Sequence, residues 1–191
     1  NGGFYVTGVL RLVFQDNGTV RWRVGSGNWN TLDLSTINGV IASTRNIYVK
    51  GTVNGQVTVY TRRKIYITND IVYAEDPREN PASDDVLGLL ATKNVIVKDN
   101  APNRDDCIIH ASIMSVQGSF TVENYDQGSP RGTLHVLGGI IQETRGPVGT
   151  FSWWGPATGY QKDYQYDSRL LAMAPPYFPV SSKMSVLGWD E

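Results

Sequence analysis

The alternation of apolar and polar residues repeats a short strand motif between positions 46 and 73. In the stretch NIYVKGTVNGQVTVYTRRKIYITNDIVY, the motif NIYV is followed eighteen residues later by KIYI. Alternation with a period of two predicts strands that bury one face. Asn54-Gly55, between the two copies, would by itself predict a hairpin turn, but a hairpin does not explain why the motif returns. Recurrence at a nearly fixed spacing predicts stacked coils.

Further copies of the motif begin near residues 94 and 119, separated by longer polar segments of the kind that coil corners tolerate. We therefore predict an all-β fold, a parallel β-helix (β-solenoid) in which equivalent residues form ladders around a continuous core. Ile47 is expected to lie beside Ile65 on a parallel strand. The inward positions predicted by the alternation are Ile47, Val49, Val57, Val59, Ile65, Ile67, Val95, Val97, Ile109, Phe120, Val122, Leu134 and Val136.

The predicted organisation has three parts. Residues 1–37 form an N-terminal β-hairpin or cap that turns at Asp16-Asn17-Gly18, residues 38–145 form the solenoid coils with loop insertions, and residues 146–191 form an extended, aromatic- and proline-rich capping tail. Caps cover the strand edges at the ends of a solenoid, where end-to-end self-association is otherwise favoured. An antiparallel β-sandwich is the alternative fold, since it also has many short strands and glycine-rich turns.

Composition limits the classes of function. The chain has 191 residues, 20 glycines, 18% charged residues and a formal net charge of −1, which suits one turn-rich β domain. Its overall charge gives no argument for binding nucleic acid or an anionic membrane. No apolar run approaches the roughly 18 residues of a membrane span. We therefore expect no membrane contact within this fragment, which opens without Met and is expected to be mature or excised.

The single cysteine, Cys107, directly precedes an apolar strand pattern. We expect it to be buried as a small apolar residue. A nucleophilic role would need an activating histidine, and neither His110 nor His135 lies in a recognisable catalytic motif. No catalytic residues are assigned.

An acidic stretch, YAEDPRENPASDDV, follows the second copy of the motif. Its carboxylates are candidate ligands for Ca²⁺, which takes six to eight oxygen ligands; they are Asp76, Glu79, Asp84 and Asp85. The alternative is that these residues cap turns or pair with Arg78. Apart from this possible calcium ion, no cofactor is predicted.

A basic triplet, Arg62, Arg63 and Lys64, lies at a predicted coil corner and is a candidate ligand-binding site. If stacking aligns it with Arg45, Lys50 and Lys93, the result is a stripe for phosphate contacts. The alternative is that corner charges only keep the strand edges soluble.

Two sets of aromatic residues are candidate contact surfaces. Tyr48, Tyr60, Tyr66 and Tyr73 are predicted to form an outward ladder that binds bases or sugars, or that only stabilises the stack. Trp153 and Trp154 are adjacent, and neighbouring residues of an extended strand point to opposite faces. We therefore expect one tryptophan to pack inward and the other to be exposed as a binding platform. In the alternative, both fasten the tail to the solenoid.

Several segments together resemble a group of bacterial surface proteins in which a prepilin-like or PilX-like N-terminal segment precedes a β-solenoid domain. The segments are NGVIAST, NIYVKGTVNGQVTV, IYITNDIVYAEDPRENPASDDVLGLLA, FTVENYDQGSPRGTLHVLGGIIQETRGPVGTF and YDSRLLAMAPPYFP. The resemblance covers roughly residues 38–179. It implies an exported protein at the cell surface, associated with a type IV pilus-like machinery.

The predicted function is a non-enzymatic, extracellular structural or adhesive domain, minor-pilin-like, whose partners are pilus or other cell-surface proteins and which binds DNA or glycan. The alternative is a β-helix enzyme that acts on polysaccharide as a lyase or glycoside hydrolase, because such enzymes use paired acidic residues on one face.

Overall fold

The computed structural model describes residues 2–179 and is all-β, with 53% of residues in strands and 6% in helix. Among these residues no helix is long and apolar enough to cross a membrane. The strands are β1 (Phe4–Val6), β2 (Leu10–Phe14), β3 (Thr19–Val24), β4 (Asn30–Asp33), β5 (Val40–Ser43), β6 (Ile47–Val53), β7 (Gln56–Thr61), β8 (Ile65–Tyr73), β9 (Val86–Ala91), β10 (Val95–Val97), β11 (Cys107–Ser115), β12 (Phe120–Val122), β13 (Pro130–Gln142), β14 (Gly149–Ser152) and β15 (Gly155–Tyr166). Short 3₁₀ turns lie at Leu34–Thr36, Ala101–Asn103 and Ser168–Leu171.

The fifteen strands form one curled, half-barrel-like sheet in which most pairs are parallel. Ile47 on β6 is the direct parallel partner of Ile65 on β8, so this predicted pairing is confirmed. The ladder continues from Ile65 to Val95 and from Val95 to Phe120. The four predicted starts of the strand motif therefore lie side by side, in register.

A second ladder runs through β5, β7, β9, β11 and β13, again in parallel. Its inward residues and those of the first ladder pack into one apolar cluster. Every core residue predicted from the alternation is buried there. Burying a large aliphatic side chain contributes about 1.5–3 kcal/mol, so the cluster is the main source of stability.

The N-terminal hairpin is confirmed as the antiparallel pair β2–β3. It is part of the sheet, because β2 also pairs in parallel with β6. At the other end, β15 pairs in parallel with β13 and antiparallel with β14. Residues 155–166 thus add another strand to the sheet, whereas the sequence predicts a tail that only covers its end. Tyr160, Tyr164 and Tyr166 lie on one side of this segment at alternate positions, a spacing that suits a strand, with Lys162 as the exception.

The chain after β15 folds back over the sheet. The Arg169 guanidinium donates hydrogen bonds to the Ser83 carbonyl at 2.7 Å and to the Asp85 carbonyl at 3.1 Å. Farther along, a Cβ atom at Gly88 would meet the Phe178 ring at 2.5 Å, so this close contact needs glycine. The tail therefore lies along the flank of the sheet, as predicted; residues 180–191, which belong to the same predicted cap, are outside the described residues.

Buried hydroxyl groups donate hydrogen bonds to backbone carbonyls in the turns between strands. Each hydroxyl donates to a turn carbonyl beside the preceding paired strand: Ser43 to Gly8 at 2.5 Å, Thr61 to Arg45 at 2.6 Å and Ser115 to Lys93 at 2.5 Å. The inward corner positions are therefore polar, while the ladder positions beside them are apolar. A buried carbonyl without such a partner costs about 1–3 kcal/mol.

Replacing Thr61 by Val is expected to lower the free energy of unfolding by about 1–2 kcal/mol, because the Arg45 carbonyl loses its donor and the Arg63 amide loses its acceptor while the side-chain shape is kept. Thr52→Val is the matched control, since no side-chain hydrogen bond of Thr52 is found among residues 2–179. The measurement is urea unfolding followed by circular dichroism. Equal stability losses in the two variants would contradict the assigned role of the hydroxyl.

Candidate functional site

The positive charges of the chain are concentrated on one surface, which we call the basic face. It comprises the outer surface of β3, β2, β6, β8 and β10 and the turns that lead into β6, β8 and β10. Ten of the 17 lysines and arginines lie on it: Arg11, Arg21, Arg23, Arg45, Lys50, Arg62, Arg63, Lys64, Lys93 and Lys98. Among residues 2–179, only Lys98 of these ten forms an ion pair, whereas four of the six lysines and arginines described elsewhere do: Arg78, Arg104, Arg131 and Arg169.

One edge of the basic face is a column of exposed cations. The column consists of Arg45, Arg63 and Lys93. Each lies in a turn, two residues after the end of β5, β7 or β9 respectively, and these three strands are parallel neighbours. The Lys93 amide donates to the Arg63 carbonyl at 3.1 Å, so the turns are in contact. Neighbouring strands are about 4.8 Å apart. Stacking therefore aligns Arg63 of the predicted triplet with Arg45 and Lys93, while Arg62 and Lys64 flank the column.

Two tyrosines and two cations form a stack across the centre of the basic face. The rings of Tyr48 and Tyr66 are parallel within 11° with centroids 4.9 Å apart. The Arg11 guanidinium lies 4.6 Å from the centroid of Tyr48, and the Lys98 ammonium lies 5.6 Å from that of Tyr66. Each cation–π contact contributes about 0.5–1 kcal/mol at an exposed site. The stack holds Arg11 in place without an ion pair, whereas Lys98 is also paired with Glu123 at 3.1 Å.

The hairpin adds a second group of arginines. Arg11 on β2 and Arg23 on β3 are direct cross-strand partners, an arrangement that is unfavourable for like charges. The Nε atoms of both are buried and have no hydrogen-bond partner among residues 2–179. The centroid of the Trp29 ring lies 4.6 Å from the guanidinium of Arg23 and 5.2 Å from that of Arg21, which is also on β3. A bound anion would reduce the repulsion between these like charges.

The predicted ladder of four tyrosines is wrong in part. Tyr73 is buried, 4% exposed, and its hydroxyl accepts a hydrogen bond from the Leu87 amide. Tyr60 lies on β7, in the other ladder. Only Tyr48 and Tyr66 stack, because only they are direct register partners. Their inner ring faces cover each other and their outer faces carry cations, so no ring face is open for a base or a sugar.

Trp153 and Trp154 are both exposed, 94% and 92%, so the expectation that one packs inward is wrong. They form the tip of the β14–β15 hairpin, where Ser152 and Gly155 are the last pair. Residues in a two-residue turn do not alternate between sheet faces as strand residues do. The alternative that both tryptophans clasp the tail is also not what the structure shows.

Two of the four candidate calcium ligands in the acidic loop make internal contacts. Asp76 pairs with Arg78 at 2.5 Å, and the hydrogen bonds from that guanidinium lower the Asp76 pKa to about 2. Buried Asp85 accepts from the amides of Gly55 at 2.6 Å and Glu75 at 2.9 Å. Glu79 and Asp84 are exposed. In the described part of the chain, these side chains are not brought together as a group of metal ligands.

Cys107 is fully buried, and burial raises the pKa of its thiol to about 12. The prediction that it packs as a small apolar residue is confirmed. The candidate residues predicted from the sequence do not include Arg11, Arg21 and Arg23, although the alternation in LRLVF and TVRWRV places arginines at outward positions. That alternation was the signal in the sequence for the part of the basic face on β2 and β3.

Comparisons with models of known protein families, with characterised proteins and with solved structures find no match for this chain.

Replacing Trp153 or Trp154 by Ala is expected to change the free energy of unfolding by no more than about 0.5 kcal/mol, as for other surface substitutions. Tyr160→Ala is the contrasting variant, since Tyr160 is fully buried, and we expect it to cost about 3–5 kcal/mol as for other buried aromatics. Thermal and urea unfolding provide the measurement. A large loss from both tryptophan variants would show that they have a structural role.

Calcium binding by Asp76, Glu79, Asp84 and Asp85 stays a prediction. If it is correct, a chelator lowers the melting temperature and excess Ca²⁺ restores it, since a ligand that binds only the native state stabilises it. Differential scanning fluorimetry with EDTA, and then with added CaCl₂, provides the test. Identical melting curves in both conditions would contradict calcium binding.

Proposed function

We propose that this chain is a non-enzymatic, extracellular binding domain, built as a parallel β-helix, that holds duplex DNA on its basic face. The observation that carries the proposal is the concentration of ten cations on one surface of a chain whose net charge is −1. The solenoid interpretation is supported by the in-register parallel ladders. In such a fold every added coil extends the same surface.

The density of charge on the basic face favours a duplex over other anionic polymers. Five neighbouring strands span about 19 Å at about 4.8 Å per strand. Duplex DNA carries one phosphate charge per about 1.7 Å of its axis, hence about eleven over that length. A single acidic glycan chain presents fewer charges over the same distance. The nine basic-face cations without an ion pair match the duplex more closely.

The side-chain types also favour contacts with phosphate. Six of the ten cations are arginines, whose guanidinium groups bind phosphate oxygens through two parallel hydrogen bonds. Binding of single strands usually depends on bases stacked on open aromatic faces. The faces of Tyr48 and Tyr66 are already covered by each other and by cations. We therefore propose backbone contacts that do not depend on base sequence.

Location at the bacterial cell surface and association with a pilus-like assembly belong to the same proposal. They are supported by the resemblance to surface proteins with a prepilin-like segment. The exposed hairpin tip at Trp153 and Trp154 is the proposed contact with a pilus or other cell-surface protein, since exposed aromatic residues are frequent interface anchors. DNA would then be bound on a different surface from the one that contacts the partner.

A triple variant, Arg45→Ala with Arg63→Ala and Lys93→Ala, tests DNA binding. We expect its affinity for a 20-base-pair duplex of arbitrary sequence to fall at least roughly tenfold in fluorescence anisotropy, with a salt dependence shallower by about 3 in the log–log slope. The matched control is Arg104→Ala with Arg145→Ala and Lys162→Ala, which removes the same charge elsewhere. Melting curves verify that both variants fold.

Equal losses of affinity in the two triple variants would contradict a role for the basic face. Tighter binding of an acidic polysaccharide, polygalacturonate, than of the duplex at the same salt concentration would replace DNA by acidic glycan as the ligand. Tighter binding of the single strand would show that bases, and not only phosphates, are contacted.

A further inference from the structure

A small pocket lies on the outer surface of β11, β13 and β15, away from the basic face. Two histidines, one carboxylate and one amide line it: His110, His135, Asp163 and Gln165. Arg78, from the loop that follows β8, borders the pocket, and its guanidinium lies 3.4 Å from the Gln165 side-chain oxygen. The pocket brings together residues that are far apart in the sequence and that have no part in the proposed DNA contact.

His135 presents a hydrogen-bond acceptor to the pocket. Its Nδ1 atom lies 2.8 Å from an oxygen of Asp163, its direct neighbour on β15. The hydrogen bond from His135 lowers the pKa of the Asp163 carboxyl, which is therefore ionised near neutral pH. An ionised carboxylate only accepts hydrogen bonds, so Nδ1 carries the proton. In the neutral ring, Nε2 then holds a free lone pair.

His110, in contrast, presents a hydrogen-bond donor to the pocket. The Tyr73 amide donates a hydrogen bond to its Nδ1 at 3.1 Å, so Nδ1 is unprotonated and the proton of the neutral ring is on Nε2. Burial lowers the His110 pKa and keeps the ring neutral. The residue is only 4% exposed, and its Nε2 has no hydrogen-bond partner among residues 2–179. Since this atom is not among the fully buried atoms without a partner, its N–H is open to the pocket and can donate to a ligand there.

The charges around the pocket argue against an anionic ligand. Arg78 is paired with Asp76 at 2.5 Å, and Asp163 adds a further negative charge without a permanently charged partner. The side chains of Ile108 and Leu137 supply an apolar wall. The opposite tautomers also argue against a metal bridged by both histidines, because Nε2 of His110 carries a proton and offers no lone pair.

We propose that this pocket binds an uncharged, hydroxyl-rich ligand, namely a sugar unit of a neutral glycan. A sugar hydroxyl both donates and accepts, so one such group can donate to His135 Nε2 while it or its neighbour accepts from His110 Nε2–H. The Gln165 amide provides a further contact, and the apolar wall packs against the C–H face of the ring. This site is independent of the proposed DNA surface.

The proposal is tested with the folded chain and four uncharged hexasaccharides: maltohexaose, cellohexaose, mannohexaose and chitohexaose. At least one is expected to shift the imidazole signals of both histidines in ¹⁵N–¹H correlation spectra, with saturation at millimolar concentration or below. Before any ligand is added, the same spectra are expected to show a proton on Nδ1 of His135 and on Nε2 of His110. Gln165→Ala is expected to weaken binding at least about fivefold.

Gln161→Ala is the matched control, because Gln161 is an exposed residue of the same strand outside the pocket, and it is expected to bind as the unaltered chain does. His135→Phe removes the acceptor but keeps a planar ring, and it is expected to abolish binding with the melting temperature kept within a few degrees. The proposal is overturned if none of the four sugars binds, if trigalacturonate binds more tightly, if both histidines carry the same tautomer, or if a bound sugar is cleaved.

Discussion

In-register parallel pairing is the constraint on which the rest of this structure depends. Each strand places its residues directly beside the equivalent residues of its neighbours, so a property of one position is repeated along the ladder. Inward positions must be apolar, because an unpaired polar group in a dry core costs several kcal/mol. The exceptions lie at the corners, where the hydroxyls of Thr61 and Ser115 supply donors to turn carbonyls.

The same register converts scattered surface residues into arrays. Arg45, Arg63 and Lys93 are far apart in the sequence, yet successive strands place them about 4.8 Å apart. Tyr48 and Tyr66 stack for the same reason. A chain with almost no net charge thereby acquires a strongly positive surface, and it is the local potential, not the total charge, that attracts a polyanion.

The two proposed ligand sites differ because they are built differently. The basic face consists of outward strand residues and tight turns, so its charges are spread over a broad surface. The pocket is made by a strand face together with the insertion that carries Arg78 and the last strand of the sheet, which carries Asp163. A loop supported by a rigid sheet can enclose a small ligand, whereas an open sheet face suits a polymer.

The local alternation of side chains was enough to predict the all-β class, the buried ladder residues, the first hairpin and the burial of Cys107, because a period of two is a property of neighbouring residues. The sequence did not predict that Trp153 and Trp154 are both exposed, since this depends on where a strand ends and a turn begins. It also could not join Arg11 to Arg45, nor His135 to Asp163 and His110. Those groupings are decided by the register between strands that are distant in the chain, and only the tertiary structure contains that register.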